Sequence, residues 1–174
     1  MPVTPFHFGP GVLAKALVPA SVSLTVFALV QVVIDCESAY YLFVVRQWPV
    51  HRWAHTFLWA TLIGLAVGAA AAAAARYFSP STRSGQGPST RSGQGRWSSD
   101  LGVRQCIIGG VLGGASHPLL DGVMHWDIQP FKPWSTANPL LGLIGVGTLH
   151  LFCVVAGICG LILWMFRSAA SSSQ

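Results

Sequence analysis

Asp35, Glu37, His51, His55, His117, Asp121 and His125 stand at the ends of long apolar runs, in a chain with only five acidic side chains and six histidines. An ionisable group at membrane depth costs about 2.5–3.5 kcal/mol on insertion scales, so such groups persist only where they are paired, bound or used. Imidazole and carboxylate together are a donor set for a divalent metal. His117 and Asp121 are four apart and would share one helix face. His51 and His55 have the same spacing, which is how the two histidines of a helical His-Glu-x-x-His motif hold zinc. Asp35 and Glu37 are two apart and diverge on a helix. They converge only if the helix frays there; otherwise one binds metal while the other orients a histidine.

The elements that must position these groups are membrane helices. Of the 174 residues, 52% are hydrophobic and 9% charged, where a soluble domain carries about a quarter charged residues. The composition indicates one all-α integral membrane domain over residues 1–174, with the lipid bilayer as its main partner. Four stretches, Ala20–Val45, His55–Phe78, Val103–His125 and Leu140–Phe166, approach or exceed the roughly 20 helical residues needed to cross a hydrocarbon core. Gly11–Val18, ahead of Pro19, is too short to span and reads as an N-terminal half-helix. A flexible low-complexity loop is expected over residues 79–102, where the eight letters of Pro80–Gly87 recur as Pro88–Gly95. Residues 168–174 read as a disordered tail.

The start lacks the basic-then-apolar pattern of a secretory signal, so the membrane segments are expected to target the chain. The net charge of +5 comes mostly from Arg76, Arg83, Arg91, Arg96 and Arg104. Basic loops orient membrane proteins, so the loop is expected in the cytoplasm and no nucleic acid partner is expected. All the acids and histidines named above then gather at the outer end of the bundle. His7 joins them if the half-helix turns back. The cysteines lack Cys-x-x-Cys spacing and read as small buried hydrophobes, with Cys36 a minor ligand candidate.

Single residues have plainer readings. His55 and His125 can belong to an interfacial aromatic belt with Trp48, Trp53, Trp59 and Trp126. Arg52 can neutralise a carboxylate, and His150 is assigned to packing or an interhelical hydrogen bond. The Pro- and Trp-rich segment 126–139 reads as a lid, with Lys132 placed to attract an anionic head group, or as a plain connection. Gly64, Gly68 and the run Ala69–Ala75 read as a close-packing helix face.

Thr4-Pro5-Phe6-His7-Phe8-Gly9-Pro10-Gly11, Ile34-Asp35-Cys36-Glu37, His51-Arg52-Trp53-Ala54-His55-Thr56 and Ser116-His117-Pro118-Leu119-Leu120-Asp121 resemble the bacterial inner-membrane metal-dependent hydrolases, a family named for a LexA-regulated member. Its usual order is an early His, Asp-x-Asp-His, His-Arg-x-x-Thr-His and Ser-His-x-x-x-Asp. This chain departs from it with Glu37 as second acid, Ser38 in place of the following histidine, and His55 one residue early. More distantly the order is similar to zinc-dependent phospholipase C and related zinc nucleases. The resemblance implies hydrolysis of a phosphoester, such as a phospholipid head-group bond, at the outer face of a bacterial plasma membrane. His7, Asp35, His51, His55, His117 and Asp121, with His125 beside them, would hold one or two divalent ions, and zinc is expected from the mixed ligands. Asp35 or Glu37 is the candidate base, and Arg52 the group that neutralises developing charge. Two alternatives stand beside this: a metal or proton transporter, which needs polar groups at staggered depths, and a non-catalytic protein with a structural metal.

Overall fold

The computed structural model describes residues 4–78 and 100–172. A 3-10 turn over Thr4–His7 leads into α1 (Phe8–Leu17). Four longer helices follow: α2 (Leu24–Ala39, extended by a π-helical turn over Tyr40–Val45), α3 (Phe57–Phe78), α4 (Val103–Met124) and α5 (Val146–Ser172). The described residues form a helical bundle without strands, and four of its helices are long and apolar enough to cross a membrane. The half-helix is α1.

The tandem repeat lies outside the described residues, as do positions 173–174. Several expected boundaries change, among them the starts of α1 (Phe8, not Gly11) and α2 (Leu24, not Ala20). Residues 168–172, read as tail, continue α5, and α5 begins six residues later than Leu140 because turns close residues 138–145. Asn138 causes this: its Nδ2 donates to the Gly122 and His125 carbonyls at the end of α4, and its Oδ1 accepts from the Leu140 amide.

The helix at the centre is α4. In its most apolar window 61% of residues are buried, against 17–22% in the other three spans. Small residues make this possible. On α3, Ala60, Gly64, Gly68 and Ala72 are buried and four apart, so they form one stripe. A Cβ on Gly64 would strike the Gly110 carbonyl, and one on Gly114 the Ala60 carbonyl. The other face of α4 does the same against α2, where a Cβ on Gly109 would strike the Ser23 carbonyl. In lipid, backbones that approach this closely gain van der Waals contact that larger side chains would forbid. Of the alanine run, only Ala72 is buried.

A helix that stops inside a bilayer must have its last carbonyls satisfied, and α1 does. Arg167 Nη1 donates to the carbonyls of Ala16 and Leu17. Lys15 Nζ donates to the carbonyls of Pro19 and Val22 and to the Asp100 carboxylate. Asp100 also accepts from the Ser23 and Thr25 hydroxyls and the Thr25 amide, so it caps the start of α2. Burial pushes the Asp100 carboxyl up, but Lys15 and Thr25 outweigh it and hold it below the usual range. Asp100, near the end of the supposed flexible loop, is thus a buried anchor. His150 lies one turn into α5 and stacks on Phe6 at 4.2 Å.

Both Lys15 and Asp100 are buried, and removing one partner strands the other. Asp100→Ala is expected to cost about 3–5 kcal/mol, read as a lowered melting temperature in detergent.

Candidate metal centre

The sequence places the site through three local devices. First, α4 carries His117 and Asp121 on one face, and both are fully buried. Second, the short α1 brings His7 to the same level. Third, the segment 50–56 is folded inward by two carboxylates. Glu37 accepts the amides of Arg52 and Ala54, and Asp127 accepts those of Val50 and His51. Thr56 Oγ1 then accepts from the Trp59 amide and starts α3 directly after His55. His51 and His55 therefore lie in a turn, not on a helix as their spacing suggested; even so, their rings meet edge to face at 4.7 Å.

Four side chains, Asp35, His55, His117 and Asp121, each offer one ligand atom within 4.8 Å of one another. His117 Nε2 is 3.2 Å from Asp121 Oδ2 and 3.3 Å from Asp35 Oδ1. His55 Nε2 is 3.7 Å from Asp35 Oδ1 and 3.9 Å from Asp121 Oδ2. Ligands about 2.0–2.1 Å from a tetrahedral zinc stand about 3.3 Å from one another, so this spacing fits one ion. His51, Asp121 and His125 form a second group on the same criterion. Asp121 is common to both groups. Its Oδ1 also lies 3.0 Å from His7 Nε2.

The decisive detail is which ring nitrogens are already committed. Gln31 Nε2 donates to the Gly113 carbonyl, which leaves its Oε1 to accept from His117 Nδ1 at 2.6 Å. Glu37 Oε2 accepts from His55 Nδ1, and Asp127 Oδ1 from His51 Nδ1 at 2.9 Å. In each case Nδ1 is taken and Nε2 is turned toward the cluster, as outer partners do for metal-bound histidines, although His55 Nε2 also meets Ser38 Oγ. Nε2 of His7, His51, His117 and His125 and both oxygens of Asp121 are buried without a hydrogen bond, although acceptors and nitrogens lie near.

Outside the spans, burial and the neighbouring His55 hold His51 down at about 4 despite Asp127, and burial also lowers His125. Both are neutral imidazoles, able to ligate, at neutral pH. Burial works to raise the Asp127 carboxyl, but the hydrogen bond and charge of His51 bring it below its usual value.

All of His7, Asp35, His51, His55, His117, Asp121 and His125 are brought together. Two residues with expected roles are not placed for them. The Arg52 guanidinium turns away, donating to the Pro49 carbonyl and Gln47 and lying over the Tyr41 ring at 3.8 Å. Glu37 spends both oxygens on two backbone amides and His55, so it orients rather than accepts a proton from water. The helix therefore does not fray at Asp35: the two acids diverge and take different tasks. Lys132 lies over Trp53 at 4.9 Å. The 126–139 segment is pinned to α3 by the Phe57 amide donating to the Pro130 carbonyl. Cys36 and Cys159 are exposed, against the expectation of burial, while Cys106 and Cys153 are buried.

Gln31, Ser38 and Asp127 were not singled out as site residues. Gln31 was findable, as an amide in an apolar run, one turn before Asp35. Ser38, standing where the family resemblance has a histidine, puts its Oγ 3.2 Å from His55 Nε2. No family model, curated protein or solved structure matches the chain, so the resemblance rests on the quoted motifs alone.

If Gln31 fixes the His117 tautomer, Gln31→Leu is expected to weaken metal binding by about 10–100-fold. Competition against a chelating dye, with helicity checked by circular dichroism, measures this.

Proposed function

We propose that this chain is a membrane-embedded metal-dependent hydrolase acting on a phosphoester, with the cluster of Asp35, His55, His117 and Asp121 as its first metal site and His51, Asp121 and His125, joined by His7, as its second. One observation carries the reading: three histidines have Nδ1 held by Gln31, Glu37 and Asp127, and Nε2 of His55 and His117 faces the Asp35 and Asp121 carboxylates. The cluster also adjoins a cavity of about 310 Å³ lined in part by Asp35, His51 and His125. A structural site is a closed shell; one that opens on a cavity favours chemistry.

The imidazole and carboxylate donors suit zinc, and divalent ions held there would supply an activated water and neutralise charge on the phosphoryl oxygens. The side chains do the rest. Asp35 is the carboxylate that belongs to the four-residue cluster and also lines the cavity, so it is placed to take a proton from water. The water oxygen forms a new bond to phosphorus as the ester P–O bond breaks, and the proton held by Asp35 passes to the leaving oxygen. Glu37 and Asp127 keep His55 and His51 in register, and Arg52 braces the turn that carries them.

Transport is less well supported. Between this cluster and the Lys15–Asp100 pair lies an apolar core of Val26, Val30, Ile34, Ala60 and Cys106. Lys15 and Asp100 are engaged with each other and with backbone, which suits an anchor better than a relay. The bacterial plasma membrane, with the site toward its outer face, remains the location this reading implies.

Elemental analysis of the detergent-purified protein tests the reading. One or two equivalents of zinc or manganese are expected, lost in His117→Ala and Asp121→Ala, with chelator-sensitive hydrolysis of bis(4-nitrophenyl) phosphate. Metal-free wild type, with both variants folded, would sink it.

A further inference from the structure

None of the grouped donors lies on α5, yet α5 holds the one donor that has no hydrogen bond to orient it. Gly9 meets α5 so closely that a Cβ there would strike the Cys153 carbonyl. Further along, a Cβ on Gly160 would strike the backbone of Val12 and Leu13. The start of α1 therefore lies in a slot on α5, backbone against backbone. Just ahead of α1, the Phe6 ring stacks on His150 of α5, with centroids 4.2 Å apart and planes 16° from parallel. Phe6 also packs on Leu120, Val123, Leu149 and Cys153, where α4 and α5 meet. The next residue is His7, buried, with its Nε2 3.0 Å from Asp121 Oδ1.

His7 is held differently from the other rings. Nδ1 of His51, His55 and His117 is taken by Asp127, Glu37 and Gln31. Neither nitrogen of His7 makes a hydrogen bond. A ligating imidazole usually has its direction set through its second nitrogen; for His7 that task falls to packing. Phe6 and His7 are neighbours in one tight 3-10 turn, where fixing one residue fixes the backbone from which the next projects.

Building on the metal-dependent hydrolase reading, we infer that His150 is a positioning residue: by stacking on Phe6 it seats His7 against Asp121 and so sets the affinity of the second ion, without being a ligand itself. The helix that carries no donor thus tunes the site from one layer out. By linkage, the second ion in turn holds the Thr4–His7 turn on α5.

Zinc titration of the full-length protein in detergent, stripped of metal and competed against a chelating dye, tests this without any turnover assay. His150→Leu fills the same space but cannot stack. It is expected to weaken the second ion at least threefold, as loss of an aromatic pair implies, and to leave the first unchanged within twofold. His150→Phe, which keeps a flat ring and has no ring nitrogen, is expected to restore wild-type affinity for both ions. Phe6→Leu is expected to match His150→Leu, and the double variant to be no weaker than either alone, because both remove one interaction. Circular dichroism checks that each variant is folded, and Phe6→Leu carries the test if His150→Leu is not. An unchanged second ion in both leucine variants overturns the inference. So does a loss that His150→Phe fails to restore, which would make the ring nitrogen rather than the stack the active part. Equal weakening of both ions marks a general loosening of the bundle and overturns it as well. Wild type that takes up one ion overturns the inference and leaves a one-metal hydrolase; wild type that takes up none removes the hydrolase reading too.

Discussion

Burying the Asp121 carboxylate completely in an apolar bundle carries a desolvation cost of several kcal/mol, and the surrounding structure is arranged around that fact. Asp121 has histidine nitrogens near both oxygens, yet hydrogen bonds to neither. Gln31 and Glu37 hold Nδ1 of His117 and His55, so that the Nε2 atoms of these two rings are the ones turned toward it.

Holding these nitrogens in place is the work of residues one layer out. Gln31, Glu37 and Asp127 each accept from one Nδ1, and each is fixed in turn by backbone. Glu37 and Asp127 also gather the amides of residues 50–54, so the two carboxylates fold the turn and set its histidines in a single step. Removing either would disturb ligand orientation and chain path together.

None of this would meet without close backbone approach. The glycines of α4 let α2 and α3 lie against it on two faces, which brings Asp35 and Gln31 from one side and His55 from the other to His117. At the opposite end, Arg167 donates to the last carbonyls of α1 and Lys15 to those of Pro19 and Val22 just beyond it, while Asp100 accepts from Lys15 and from the start of α2; together they allow α1 to end where it does and to deliver His7. A half-length helix is tolerable in a bilayer because those three charges are committed to it.

Hydropathy alone determined the four long helices, the half-helix and the side of the bundle on which acids and histidines gather, because burial in lipid demands long apolar runs and tolerates ionisable groups only in company. The four-residue spacing of His117 and Asp121 likewise needed nothing beyond helix geometry. Tertiary structure decided the rest. It placed His51 and His55 in a turn, separated the tasks of Asp35 and Glu37, withdrew Arg52 from the cluster and recruited Gln31 and Asp127 to it. It also tied Lys15 to Asp100 across the bundle. Each of these depends on pairings between residues distant in sequence, such as Gln31 with His117 and His51 with Asp127. Local periodicity carries no record of such pairs; they exist only once the glycine-lined helices have come together.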